Sequence, residues 1–317
     1  MFCCKSTTGV ELKELLSCNE KMRKLFYKFL MVLTRNFGPR VFALFAWPIA
    51  TGYFLFSPLK VAVSVKFYRA LFPGKSVFYH IWCTWRQYHN FTHVFMDRFM
   101  IMDSEDVAHT SEGWENLKET VEKGKGGIIL MSHMGNWETA AHLLRRKQYG
   151  MRLLLYMGIK AKEQIEKMQK ESLSKGGVRI VAVDQDGGSP FDILEGIKFL
   201  KEGGLVSLTG DRVWSGNEKT VAVQFLNHEV NLPVAPHLFA LLSKAPLFIF
   251  FAFRSGHQSY HFKISEPIYV RAASRADRQK AIERSAQKYA DHIQQNLCAH
   301  PLQWYHFEQF LGMKLDS

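Results

Sequence analysis

Apolar positions change period several times along the chain, and each change marks an expected element. From Val41 to Phe56 sixteen consecutive residues are uncharged and mostly apolar, broken only by Pro48 and Gly52. Aromatics follow at near-helical spacing within Phe67–Met102: Phe78, Tyr79, Trp82, Trp85, Tyr88, Phe91, Phe95 and Phe99. That pattern predicts a helix with most of these rings turned into a core. Beyond it, short apolar runs alternate with amphipathic stretches. Strands are expected at Ile128–Met131, Met151–Met157, Gly177–Val183, Leu205–Thr209 and Pro246–Phe253. Helices are expected at Trp137–Lys147, Lys162–Ser174, Pro190–Lys201, Ala235–Ser243 and Arg278–Asn296. Alternation of this kind implies an α/β fold with crossover helices. The expectation is a single α/β domain, residues 111–317, with a mixed central sheet flanked by helices. An N-terminal helical, membrane-associating region, residues 1–110, precedes it. No linker, repeat or low-complexity segment divides the chain.

The segment Val41–Pro58 sets the question of the membrane. A spanning helix needs about 20 apolar residues, so this run is marginal. Lys21, Arg23, Lys24, Lys28, Arg35 and Arg40 precede it, and Lys60, Lys66 and Arg69 follow. Cations on both sides leave no asymmetry to orient a span. The reading is a monotopic or re-entrant anchor lying against anionic headgroups. The competing reading is a buried helix in a soluble core, and exposure separates the two. About forty residues before the run argue against a cleaved signal peptide.

The strand expected at Ile128–Met131 leads into Ser132-His133-Met134-Gly135-Asn136-Trp137-Glu138. A histidine at a strand's carboxyl end, with a carboxylate to fix its tautomer, is a natural general base for a hydroxyl or amine. Asn136 suits the N-cap of the helix that follows, which places Glu138 in its first turn. The bare H-x4-[DE] spacing is weak, because 13 His and 29 acidic residues supply about one such match by chance. The chain has two, the other being His261–Glu266. Its context alternates like a strand, where positions five apart face opposite sides. Only the first pair has a turn to bring its members together.

That first motif resembles the H-x-G-N-W-E form of the H-x4-[DE] motif in the bacterial lipid A biosynthesis acyltransferases. These form the lauroyl/myristoyl branch of the lysophospholipid acyltransferase superfamily. Later landmarks resemble the family in the same order: Leu205–Arg212 as a second strand and turn, Val221–Pro233, Ala240–Arg254, and the tryptophan-containing Gln303–Phe307. The likeness runs from about Gly38 to Phe310. It implies transfer of an acyl chain from an acyl-carrier-protein or coenzyme A thioester, used as co-substrate with no further cofactor. It also implies work at the cytoplasmic side of a bacterial inner membrane. Residues around the second motif differ from those of the best-known lipid A members, which leaves the acceptor open. Amino-acid, pigment or polyketide acceptors are alternatives, as is a non-catalytic membrane-binding protein that keeps the fold.

The remaining readings rank the other polar groups. His133 with Glu138 is the expected catalytic pair. Arg212 is the candidate for a phosphate or diphosphate, with Asp211 positioning it or the acceptor, and a surface Asp–Arg turn is the alternative. Asn136 reads either as a donor near the reacting carbonyl or as a cap alone. Trp304 and His306 are expected to pack at the edge of the site. A net charge of +12 favours an acidic carrier protein or a lipid surface, and the basic residues are scattered, without a nucleic-acid motif. Five cysteines make neither a disulfide framework nor a metal clip, which suggests reduced thiols. Asp184 and Asp186 lie in DQDGG, read as a solvated turn and not as a metal site. No phosphate loop, dinucleotide fingerprint or serine-hydrolase elbow is present.

Overall fold

Prolines punctuate the helices between residues 39 and 71 in the computed structural model. The structure describes residues 29, 32–34, 36–101, 108–137, 139, 151–158, 178–183, 190–213, 218–256 and 259–315. Helix α1 (Pro39–Phe56) starts on a proline and contains Pro48. Helix α2 (Pro58–Leu71) starts on the next one. A proline at the first helical position needs no backbone donor there, so Pro58 begins a helix as readily as it ends one. The two helices meet at 92° across Ser57. Helix α3 (Val77–Ile101) packs against both.

The outward faces of these helices are not core. Leu44, Trp47, Tyr53, Leu55 and Phe56 of α1 and Leu59 of α2 are exposed, Phe56 at 87% and Leu59 at 84%. The buried-helix reading therefore fails for this segment. At the start of α3, Val77, Phe78, Ile81 and Trp82 are exposed as well. The expectation that the α3 rings fill a core is corrected at Phe78 and Trp82, while Tyr88 and Phe91 pack on Phe307.

The strands are β1 (Ala108–Glu112), β2 (Gly127–Gly135), β3 (Leu153–Gly158), β4 (Arg179–Val183), β5 (Leu205–Thr209), β6 (Thr220–Phe225), β7 (His228–Pro233), β8 (Leu247–Gly256) and β9 (Ser259–Ile264). Seven of them form one sheet in the order β1-β9-β8-β2-β5-β3-β4. Strands β8, β2, β5, β3 and β4 run parallel, β9 runs antiparallel to β8, and β1 is parallel to β9. The sheet is mixed and helices flank it, as the alternating pattern predicts. Alternate residues of β2 divide between two cores. Ile128 and Leu130 join one with Val206, Ile249 and Phe251, while Ile129 and Met131 join the other with Leu205, Phe248 and Phe250. Burial on both faces is why β2 reads as an unbroken apolar run.

Helices α4 (Trp114–Glu122), α5 (Pro190–Lys201), α6 (Ala235–Ser243) and α7 (Arg278–Ala299) complete the described elements. The expected helices at 190–201 and 235–243 are observed, and the closing helix runs on to Ala299. The helices expected over Trp137–Lys147 and Lys162–Ser174, and the DQDGG turn, fall mostly or wholly outside the described residues. Strands β6 and β7 form a separate hairpin whose two-residue turn, Leu226-Asn227, has positive φ at both positions. Gln287 of α7 clamps the hairpin edge through both backbone groups of Gln224.

Candidate active site

The end of β2 is irregular, and that irregularity presents His133. Pairing with β8 slips between Met131 and Gly135, so a bulge re-aims the side chains there. Gly135 has φ of 76°, and a Cβ at that position would collide with the Ala252 carbonyl oxygen. Glycine is thus required by both backbone conformation and close approach. Asn136 then donates its backbone N–H to the same Ala252 oxygen at 2.7 Å. The sequence reading put His133 in a turn after the strand; it lies in the last residues of a longer strand.

Asp211, just past β5, lies alongside. The Met131 carbonyl accepts from the Gly210 N–H at 3.0 Å and from the Tyr289 hydroxyl at 2.7 Å, locking the two strand ends together. Asp211 is buried, and its carboxylate accepts three hydrogen bonds. His133 gives two of them, its backbone N–H to Oδ2 at 2.7 Å and its ring Nδ1 to Oδ1 at 2.8 Å. The third comes from Trp304 Nε1 to Oδ2 at 2.9 Å. Burial by itself would raise the Asp211 pKa. His133, His306 and the Trp304 indole outweigh that and hold it well below the usual carboxylate range. An ionised Asp211 keeps the proton on His133 Nδ1 and leaves Nε2 as an acceptor. The His133 side chain is 22% exposed while Asp211 is fully covered.

The C-terminal segment closes the back of this pair. Gln303 O accepts from Gly135 N–H at 2.7 Å, and Tyr305 N–H donates to His133 O at 2.9 Å. Between them Trp304 bridges to Met134 and packs on Phe67 of α2 with ring centroids 5.0 Å apart. The Trp304 carbonyl accepts from Gln87 of α3 at 2.6 Å. His306 stands edge-on to His133 at 6.1 Å. Burial lowers its pKa first, and the nearby His133 and Arg212 add to that against the opposing pull of Asp211 and Glu308.

The other expected site residues divide. Asn136 is buried; its side-chain oxygen accepts from Thr139 N–H at 3.3 Å, as a cap does, and its amide donates to Tyr260 Oη at 3.3 Å. Glu138 lies outside the described residues. Asp211 was expected to position Arg212 or the acceptor, and the correction is that it binds His133. Arg212 instead pairs with Glu308, through Nε at 3.1 Å and through a terminal nitrogen. Among the described residues, no group of three or more His, Cys, Asp or Glu side chains is arranged to hold a metal. A cavity of about 200 Å³ is lined by Ala62, Val63, Phe67, Phe310 and the Trp304 and His306 that neighbour the pair, with Lys66 and Glu308 among its polar groups.

Sequence reasoning missed the bond between Asp211 and His133, because 78 residues separate them. A clue was present all the same. In the sequence both come at the carboxyl end of an apolar, strand-like run, and adjacent parallel strands bring such positions to one edge. Asp97, which joins Arg254 and Tyr260, carried no local signal.

None of the curated proteins matches this chain. Residues 81–311, more than two thirds of its length, match the family model described as bacterial lipid A biosynthesis acyltransferase.

Proposed function

We propose that this chain, which belongs to the bacterial lipid A biosynthesis acyltransferase family, moves a fatty acyl chain from an acyl-carrier-protein or coenzyme A thioester to a hydroxyl or amine of a lipid-type acceptor. The buried Asp211 carboxylate on His133 Nδ1 is the observation that carries this reading. It makes Nε2 the one ring nitrogen able to accept a proton. In the reaction, Nε2 takes the proton from the acceptor as its oxygen or nitrogen attacks the thioester carbonyl carbon. The tetrahedral intermediate collapses by breaking the carbon–sulfur bond. The departing thiolate takes back the proton from Nε2, and the histidine ends neutral. Asp211 stays ionised throughout and stabilises the imidazolium of the middle step.

Asp211 takes the orienting role that the spacing of the motif assigns to Glu138. The motif spacing keeps Glu138 as a second candidate carboxylate for the same histidine, and Asn136 caps through the Thr139 N–H. Arg212 and Glu308 fix the segment that lines the cavity, which admits the acyl chain against Phe67 and Phe310. The exposed apolar face of α1 and α2 supports seating on a membrane. No single described helix is long and apolar enough to cross one, and the bent pair α1 and α2 reaches that composition only together. With exposed Lys60, Lys66 and Arg69 beside it, the pair suits one leaflet of an anionic bilayer, at the cytoplasmic side of an inner membrane.

Detergent-solubilised wild type and His133→Ala, incubated with labelled palmitoyl carrier protein or palmitoyl coenzyme A and a membrane-lipid extract, test the reaction by mass spectrometry of new acylated products. A product from wild type, with the rate lowered by about 10²–10⁴ in His133→Ala, is expected for loss of a general base. Near-wild-type turnover by His133→Ala would remove the mechanism.

A further inference from the structure

The substrates of the proposed reaction carry phosphate, on the pantetheine arm of the donor or on a lipid headgroup. The arginine best placed by sequence to bind it, Arg212, already has two of its guanidinium nitrogens on Glu308. A second arginine lies at the carboxyl end of β8, the strand beside β2. We infer that Arg254 is the anion-binding residue of this site and takes a phosphate group of one of the two substrates. This rests on the acyl-transfer reading for the identity of the anion.

Three observations place Arg254 there. Its backbone is clamped by Gln303, which accepts from its N–H at 2.9 Å and donates to its carbonyl at 3.0 Å. The Gln303 backbone also receives Gly135 N–H, and Tyr305, two residues on, donates to His133 O. One short segment therefore holds both Arg254 and the catalytic histidine, at the strand ends where ligands of α/β sheets bind.

The second observation concerns orientation. Asp97 of α3 is fully buried and accepts Arg254 Nε–H at 2.8 Å. The Tyr260 hydroxyl donates to the same carboxylate oxygen and also accepts from Asn136. A guanidinium fixed at Nε has its plane set in advance. Its two terminal nitrogens have no hydrogen-bond or ion-pair partner among the described residues, and the side chain is 21% exposed. That is the fork that suits two phosphate oxygens at once.

Third, the charge of a second arginine is felt beside that of Arg254. His93 has its pKa lowered to about 4, by burial first and then by Arg254 and by Arg86 of α3. Positive charge from two arginines near a histidine kept neutral favours an anion there. Asp97 serves as the positioning residue, and through Tyr260 the same carboxylate steadies the Asn136 cap.

Calorimetric titration of the detergent-solubilised protein with coenzyme A and with a short-chain phosphatidic acid tests the assignment without turnover. Removing Arg254 alone would strand a buried carboxylate. The variants are therefore Arg254→Lys, which keeps the charge and loses the fork, and the paired Asp97→Asn/Arg254→Gln, with Arg212→Gln as comparison. Loss of a charged, two-pronged contact is expected to weaken binding about ten- to a hundredfold in both Arg254 variants, and less in Arg212→Gln. A loss confined to coenzyme A assigns the phosphate to the donor arm, and a loss confined to phosphatidic acid assigns it to the acceptor. Wild-type binding that survives in both Arg254 variants, weak binding only in Arg212→Gln, or a wild type that binds neither probe would overturn the inference. Arg254-dependent binding in a protein that transfers no acyl chain would leave the anion site standing and remove the reaction.

Discussion

The His133 site and the opening helices treat water in opposite ways. Around Asp211 every carboxylate oxygen has a donor, the tryptophan that covers it is buried, and the strand ends beneath it are tied by Gly210 and Tyr289. Along α1 and α2, large apolar residues face outward over a right-angle break. A carboxylate can be buried only where donors repay its lost hydration, so the first region is rigid and specific. Exposed apolar surface of that extent is stable only if something apolar covers it. On the proposed function, the difference puts the chemistry at the sheet and the docking on the helices, and the two should fail separately.

The sharpest break is expected at Asp211. Asp211→Asn keeps the shape and removes the charge that fixes the tautomer and stabilises the imidazolium. Turnover should fall roughly a hundred- to a thousandfold, with vesicle binding unchanged in a flotation assay. Glu138→Gln should cost less. Equal losses would return the orienting role to Glu138.

Acid asks whether the regions come apart together. An unfolded histidine titrates near 6.5, while burial lowers His237 of α6 in the folded protein to about 4. Between those values the unfolded chain holds more protons. Stability is therefore complete above about pH 6.5 and is lost as pH falls toward 4, by on the order of 3 kcal/mol for this group. His93 of α3 has the same direction. Denaturant melts of wild type and His237→Phe between pH 7 and 4 should show a flatter pH slope in the variant. Parallel curves would show that His237 does not carry the effect.

The smallest expected change is at the outer face. Replacing Phe56 and Leu59 together by aspartate should weaken vesicle binding about tenfold or more, since each loses its apolar burial in lipid. Turnover on donor and acceptor both dispersed in detergent should move by less than about threefold, because neither residue touches His133 or its partners. A collapse of detergent turnover would join the two regions into one.

Much of this was legible along the chain, for reasons of local physics. The strand-helix alternation, the buried run at β2 and the cap at Asn136 all follow from side-chain period and backbone preference, which act over a few residues. The histidine motif and its likeness to a family were legible on the same footing. Three outcomes were not. The exposure of Phe78 and Trp82 depends on what α3 packs against, which helical spacing alone does not specify. The partners of Asp211 and Arg212 depend on which strand ends meet. The tie from Asp97 through Arg254 to Tyr260 spans over 150 residues, and no local pattern marks it. Sequence by itself determined most of the strand–helix alternation, the fold class and the histidine proposed as general base. Tertiary structure decided which carboxylate bonds that histidine and which acids pair with Arg212 and Arg254, because a charge takes its partner from whatever folding brings within about 3 Å of it.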